Sequence, residues 1–265
     1  MYNRFQLAKK FLHYYLTASN GKGYGIHSPF VFDFITNVLN DTIQFNFLRN
    51  IEQIRGKLLK NNSDVSTIDF GAGSRLHWDI VRRISDIART SLKPPKYSRL
   101  LFRIVQYYKP TTILELGTSF GITTSYLAFA NPSAQIITME GAPSVADIAQ
   151  QNFDQLQLKN IEIRKGNFNV TLNQTLEQFS TIDFSFIDGN HRKDPTMYYF
   201  EELINKANDQ SIFIFDDIHW SAEMEEAWKE IQQHPAVTLS IDLFFIGLVF
   251  FKKDFKAKQH FVIRF

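Results

Sequence analysis

The stretch Thr112–Thr124, TILELGTSFGITT, decides the fold of this chain. It begins with a short, mostly apolar and β-branched run at 112–116, which predicts a buried strand, and continues after Gly117 into a segment with helical spacing. Gly117 permits a tight turn, and Gly121 permits a helix to pack close to the strand, so that backbone N–H groups face a ligand. The pattern predicts a strand, a ligand-binding turn and a helix; a generic strand–turn–helix is the alternative.

The same alternation continues towards the C-terminus. Further strands are predicted at 135–140, 160–165, 182–187 and 211–216, and helices near 121–129, 144–156, 194–207 and 221–233. Two last runs, 236–242 and 244–252, have no helix between them and predict an antiparallel hairpin at the sheet edge. The predicted fold class is α/β, with a doubly wound, seven-stranded, mostly parallel sheet that ends in this hairpin.

The N-terminal third differs in composition from the rest. Residues 1–110 contain 17 Lys/Arg and 7 Asp/Glu, whereas residues 111–265 contain 12 and 20. Apolar residues recur there at helical spacing, so we predict a helical N-terminal cap over 1–96, a core domain over 97–252 and a C-terminal tail over 253–265. The tail is expected to pair with or cover the sheet edge.

Two polar residues follow the next predicted strands. Glu140 ends the second strand, 23 residues beyond Gly117, where a carboxylate can accept both ribose hydroxyls of an adenosine. Asn167 follows the third strand, where a polar side chain can meet an adenine edge. The order fits a nucleoside laid across the strand ends; a surface acid beside a turn is the alternative for Glu140.

These motifs resemble those of class I S-adenosylmethionine-dependent methyltransferases. The resemblance rests on ELGTSFGIT, TMEGAP, KGNF and the terminal hairpin, and covers about residues 97–252. The form ELGxxxG is typical of the catechol O-methyltransferase-like branch and of related bacterial O-methyltransferases. The resemblance implies a Rossmann-like fold and S-adenosylmethionine as cofactor. Many members have glycine where this chain has Ser119. The implied cofactor-binding residues are Glu115, Gly117, Ser119, Gly121, Glu140, Asn167 and Asp188.

A second group of polar residues follows strands four and five. Asp188 and His191 belong to DGNH, and Asp216 and Asp217 begin DDIHW, 28 residues after Asp188. Tips of neighbouring strands lie roughly 5–10 Å apart, and crowded carboxylates repel one another unless a cation compensates. Asp188, Asp216 and Asp217 are therefore candidate ligands of Mg²⁺, Mn²⁺ or Ca²⁺. The alternative for Asp217 is capping of the helix that follows.

This spacing resembles the metal site of catechol O-methyltransferase-like enzymes, with two departures. Asp217 stands where Asn is common, and His191 stands in place of the catalytic Lys. A sulfonium makes the transferred methyl electrophilic, and a divalent cation lowers the pKa of an acceptor hydroxyl. His191 is the predicted general base, with Lys193 as the second candidate; a hydrogen bond within the site is the alternative for His191.

The predicted function is metal-assisted methyl transfer to an oxygen of a small molecule, either aromatic or anionic. One alternative is a metal-independent methyltransferase acting on nitrogen or a carboxylate. An NAD-dependent oxidoreductase fits the doubly wound sheet but not the GxxxG loop. A non-enzymatic nucleic-acid-binding module would use the basic N-terminal third. Nucleic acid is not expected as a partner, because the carboxylates at the strand tips would repel phosphate.

Several sequence features exclude other classes of protein. The chain has no cysteine, which excludes disulfide scaffolds, zinc ribbons and thiolate nucleophiles. The first 20 residues carry Arg4, Lys9 and Lys10 in an amphipathic pattern without a signal-peptide core. We expect a cytoplasmic protein without a membrane partner, and a homodimer is left open.

The glycine-rich stretch 69–75 is predicted to be a turn at the mouth of the site, a second cofactor site being the alternative.

Overall fold

The structure, a computed structural model, describes residues 1–42, 45–68 and 79–265. The predicted turn at 69–75 lies outside these residues. The helices are α1 (Arg4–Thr17), α2 (Pro29–Phe34), α3 (Leu48–Leu58), α4 (Ile84–Ser91), α5 (Pro95–Tyr108), α6 (Ile122–Ala130), α7 (Pro143–Gln155), α8 (Phe168–Leu176), α9 (Lys193–Ile204) and α10 (Ala222–Gln233). A π-helical turn, Ile35–Leu39, continues α2. The strands are β1 (Asp64–Ile68), β2 (Asp79–Arg83), β3 (Thr112–Leu116), β4 (Gln135–Glu140), β5 (Ile161–Lys165), β6 (Phe184–Ile187), β7 (Ile212–Asp216), β8 (Leu239–Asp242), β9 (Ile246–Phe250) and β10 (Gln259–Val262).

The main sheet confirms the α/β prediction, although its strand count was wrong. It has eight strands in the order β10-β8-β9-β7-β6-β3-β4-β5, and only β9 runs antiparallel to its neighbours in the described pairings. The additional strand is β10, which forms from the tail and pairs in parallel with β8. The tail therefore pairs with the sheet edge by adding a strand to it.

The chain divides into two compact units. Unit 1 comprises Met1–Asp41 and Phe179–Phe265, and unit 2 comprises Thr42–Gln178. Strands β3–β5 belong to unit 2, and β6–β10 belong to unit 1. The domain boundaries at 96/97 and 252/253 stay a prediction.

Helix α6 packs against α7 in unit 2 at the glycine that precedes it. Gly121 has φ +76°, and a Cβ at this position would lie 2.6 Å from the Cζ of Phe153. Only a residue without a side chain leaves room for that ring. Gly121 therefore permits a close approach between α6 and α7, whereas the sequence predicted a close approach of the helix to the strand.

The N-terminal third contains the predicted helices and one additional element. Helix α1 begins with a capping box between Asn3 and Gln6, and α2 begins at Pro29 after Ser28. An antiparallel hairpin, β1–β2, joins α3 to α4 and was not predicted. Among the described helices, each is too short or too polar to cross a bilayer.

Candidate active site

The loop after β3 is held in one shape by its backbone. Gly117 and Ser119 have φ +108° and +47°. The N–H groups of Gly117 and Thr118 both donate to the Met139 carbonyl, at 3.0 Å. A serine in the left-handed region costs about 1 kcal/mol relative to glycine. The positive φ of Ser119 shows that the backbone of this loop is held in a constrained conformation.

Glu140 is fixed beside this loop by backbone donors. Its Oε2 accepts from the Ser119 N–H at 2.8 Å, and its Oε1 accepts from the Ala142 N–H at 2.9 Å. Desolvation raises the pKa of Glu140, while hydrogen bonds from the backbone of Ala142, Ser119 and Gly141 oppose the rise. The structure thus brings together Ser119 and Glu140, two of the predicted cofactor-binding residues.

The Ser119 side chain offers an observation that points to a ligand. Its Oγ is buried and has no hydrogen-bond partner among the described residues. A buried hydroxyl without a partner costs free energy, and a polar group of a bound cofactor would remove that cost. The loop therefore fits a polar ligand.

Glu115 lies behind the loop. Its side chain is fully buried, and its Oε2 accepts from the hydroxyl of Thr138 at 2.6 Å and from that of Thr124. The hydroxyls of Thr118 and Thr138 are 2.6 Å apart. These bonds connect β3, β4 and α6, so Glu115 holds the loop from within the core.

Asn167 follows β5 and caps α8. Its Oδ1 accepts from the Asn169 N–H at 2.9 Å, and the side chain is partly exposed. The Gly166 N–H donates to the Glu140 carbonyl at 2.9 Å, which brings the ends of β4 and β5 together. Ser119, Glu140 and Asn167 thus lie in or after the ends of three neighbouring strands, β3, β4 and β5.

Unit 1 contains the second predicted group of residues. Asp188, His191 and Asp216 each offer a ligand atom, and these atoms all lie within 4.8 Å of one another. Asp216 is buried at the end of β7, and Asp188 and His191 are partly exposed after β6. A cation could be held by the carboxylates of Asp188 and Asp216, with the imidazole of His191 beside them.

Asp217 lies beside this cluster in an unusual backbone conformation. It has φ +53°, its N–H donates to the Phe245 carbonyl at 2.7 Å, and its Oδ2 is 3.9 Å from His191 Nε2. Helix α10 is capped by Ser221, which accepts from the Met224 N–H at 3.2 Å. Helix capping is therefore not the role of Asp217.

The two candidate bases have different surroundings. His191 Nε2 lies 3.6 Å from Asp188 Oδ1, so the imidazole faces the acidic cluster. Lys193 Nζ is 2.6 Å from Glu230 and 3.3 Å from Glu226, and hydrogen bonds to these carboxylates raise the pKa of Lys193. A raised pKa favours the protonated ammonium, which suits an ion pair better than a base.

His219 makes two side-chain contacts that the sequence does not predict. Its Nε2 lies 2.8 Å from Asp242 Oδ2, and its Nδ1 lies 3.0 Å from Glu225 Oε1. Burial lowers the pKa of His219, but hydrogen bonds and charges from Asp242 and Glu225 outweigh it and raise the pKa. DDIHW contains the histidine, but nothing in the spacing indicates its partners, which come from α10 and β8.

Unit 1 also contains a cavity of about 600 Å³ that includes none of the predicted site residues. Polar and aromatic side chains share its lining: Ser19, Gly25, Ile26, His27, Ser28, Pro29, Phe30, Phe255, Gln259 and Phe261.

Comparison with known proteins bears on the core of the chain. Residues 114–218 match a family described as a methyltransferase domain. A catechol O-methyltransferase from Niastella koreensis is 31% identical over 127 residues, which are 47% of this chain and 57% of that protein. The chain therefore spans little more than half the length of this relative.

Solved structures show the same fold. An O-methyltransferase from Bacillus cereus, in complex with S-adenosylhomocysteine (SAH), has TM-score 0.56 and 21% identity, covering 83% of this chain and 96% of that one. An SAH-bound methyltransferase from Podospora anserina has TM-score 0.56 and 14% identity, covering 81% and 100%. The chain thus shares the fold of these methyltransferases and matches a methyltransferase domain over residues 114–218.

Proposed function

We propose that this chain transfers a methyl group from S-adenosylmethionine to an oxygen of a small molecule, with assistance from a divalent cation. The observation that carries the proposal is the strained glycine loop, in which Glu140 is fixed against the N–H of Ser119 and the Ser119 hydroxyl is buried without a partner among the described residues. The match to a methyltransferase domain over residues 114–218 supports the same function.

The cofactor would be held by residues of unit 2. Gly117, Ser119 and Gly121 would contact its methionine part, Glu140 its ribose and Asn167 its adenine. Bound S-adenosylmethionine supplies an electrophilic methyl group on a sulfonium. Glu115 positions the loop through the hydroxyls of Thr124 and Thr138.

The cation would be held by residues of unit 1. Asp188 and Asp216 would supply carboxylate oxygens, with Asp217 beside them, a set that suits Mg²⁺, Mn²⁺ or Ca²⁺. The cation supplies a positive charge that lowers the pKa of an acceptor hydroxyl. His191 accepts the proton that the hydroxyl loses, because its Nε2 faces the same cluster.

The contacts of His191 also support a second candidate. Its Nε2 lies 3.6 Å from Asp188 and 3.9 Å from Asp217, so a protonated imidazole would compensate these carboxylates without a cation. The second candidate is a metal-independent methyltransferase acting on nitrogen or a carboxylate. The two candidates share the cofactor and differ in their need for a cation.

Calorimetric titration of SAH tests the cofactor assignment. We expect wild type to bind SAH, and Glu140→Ala to raise the Kd about tenfold or more, because the loss of a charged acceptor costs about 1.5–3 kcal/mol. The control is Glu177→Ala, an exposed carboxylate at the end of α8, for which the Kd should be unchanged. Absence of SAH binding to wild type would overturn the proposed function.

A further inference from the structure

Helix α1 presents an apolar face to the outside of unit 1. Phe5, Leu12 and Leu16 are 81%, 58% and 69% exposed. Their separations of seven and four residues place them on one side of the helix, as a stripe. Three large apolar side chains in one stripe are more than the scattered exposed residue that a surface ordinarily carries.

The opposite side of α1 is already packed. Tyr14 and Phe11 contact the ring of Phe244, and the Tyr14 hydroxyl donates to the Ile263 carbonyl. Lys10 donates to Glu225 at 3.0 Å. These contacts fix the rotation of α1 about its axis within unit 1. The stripe therefore cannot turn inwards unless the packed contacts break.

The charged side chains of α1 itself have one sign, and one of them, Lys10, pairs with Glu225 of α10. The first 32 residues contain Arg4, Lys9, Lys10 and Lys22 but no acidic residue. Arg4 and Lys9 are exposed on α1, and the Arg264 guanidinium lies 4.5 Å from the ring centre of Tyr15. Two copies of this face brought together would place like charges against each other, whereas an anionic surface is complementary.

We propose that α1 binds the surface of an anionic lipid bilayer. The helix would lie in the plane of the interface, with Phe5, Leu12 and Leu16 inserted at the boundary of headgroups and acyl chains. Arg4 and Lys9 would lie at the lipid phosphates. At 14 residues, or about 21 Å, α1 suits this orientation and is too short to span the membrane.

This proposal departs from the expectation that the protein has no membrane partner. Apolar residues occur on several sides of α1, and the sequence does not show which side the core takes. The structure gives the core the side with Tyr14 and leaves the stripe exposed.

Cosedimentation of the full chain with lipid vesicles tests the proposal. The vesicles contain phosphatidylcholine alone, or phosphatidylcholine with phosphatidylglycerol. We expect partition into the anionic vesicles that weakens as NaCl is added, and little partition into the neutral ones. Leu12→Asn should lower the partition coefficient about tenfold, and Arg4→Gln and Lys9→Gln about fivefold each. The matched control is Val81→Asn, an exposed apolar residue of β2, which should partition as wild type does.

Three outcomes would overturn the proposal: equal partition into both vesicle types, no partition, or a folded Leu12→Asn that partitions as wild type does. Light scattering that shows a dimer dissociated by Leu12→Asn, without vesicle binding, would assign the stripe to a second copy instead. Circular dichroism verifies that each variant is folded, and Leu16→Gln replaces Leu12→Asn if that variant does not fold.

Discussion

His191 is the side chain on which the proposed chemistry depends most closely. It follows Asn190, whose φ of +53° is in the left-handed region that asparagine tolerates better than most residues. That turn directs the chain from the end of β6 towards α9 and places Nε2 within 3.6 Å of Asp188. The motif DGNH contains all these residues, but the approach of the imidazole to two carboxylates depends on the turn and was not predicted.

We expect His191→Gln to lower kcat about 100-fold or more while the affinity for cation and for SAH stays unchanged, because general-base catalysis contributes on that scale. Steady-state kinetics combined with titration of Mn²⁺ would measure both quantities. His13→Gln, an exposed histidine of α1, is the control and should retain full kcat. A loss of cation affinity in step with kcat would make His191 a ligand rather than the base.

At the level of elements, the sequence predicts best where one local pattern decides the structure. Strand β3 was predicted with its observed bounds, 112–116, because a short β-branched run ends at a glycine turn. Strand β10 has only four residues, Gln259–Val262, and forms because the edge of β8 is available to pair with it. That availability is a tertiary property, which explains why the predicted sheet had one strand too few.

The residues of the candidate site also differ in whether a local sequence pattern could locate them. Glu140 could be located because it ends a strand at a fixed distance from the glycine loop. The network of His219 with Glu225 and Asp242 could not, since its members come from the turn after β7, from α10 and from β8. Long-range pairing of this kind leaves no periodic signal in one sequence.

The contact of Glu225 on α10 with Lys10 on α1 predicts how the stability of the protein depends on pH. Burial raises the pKa of Glu225, but hydrogen bonds from Lys10, His219 and Tyr2 outweigh it and lower the pKa below its usual value. A lowered pKa in the folded state stabilises the protein above the unfolded pKa of about 4.5, and this stabilisation is lost as pH falls through the folded pKa. Glu225→Gln should therefore lower the free energy of unfolding by about 1 kcal/mol at pH 7, discounted for partial exposure.

Urea unfolding of Glu225→Gln at a series of pH values measures this effect. The difference from wild type should shrink as pH falls from about 4.5 through the lower folded pKa, below which Glu225 is neutral in the folded and the unfolded state. Glu223→Gln, on the same turn of α10 but paired with Arg192 at 3.6 Å on the surface, is the control and should differ little from wild type. A difference from wild type that stays constant with pH would contradict a charge-dependent contact.

For the whole molecule, cofactor binding and turnover can be separated experimentally. The candidate cofactor residues Ser119 and Glu140 belong to unit 2, and the cluster around Asp216 belongs to unit 1. SAH affinity should therefore be the same with Mg²⁺ and with EDTA, because none of the proposed cofactor contacts in unit 2 is a cation ligand. Methyl transfer to a catechol probe should fall about 100-fold in EDTA, since the acceptor hydroxyl would keep its ordinary pKa near 10.

Asp216→Asn tests the same separation of SAH binding from methyl transfer, because it alters one candidate cation ligand. It should lower turnover with Mg²⁺ to the level that wild type shows in EDTA, and it should bind SAH as wild type does. Asp209→Asn, which alters an exposed aspartate after α9, is the control and should keep both SAH binding and turnover. If wild type turns over equally well in EDTA and with Mg²⁺, the cation has no part in the reaction. The carboxylates around His191 would then act on the acceptor directly, as in the metal-independent candidate.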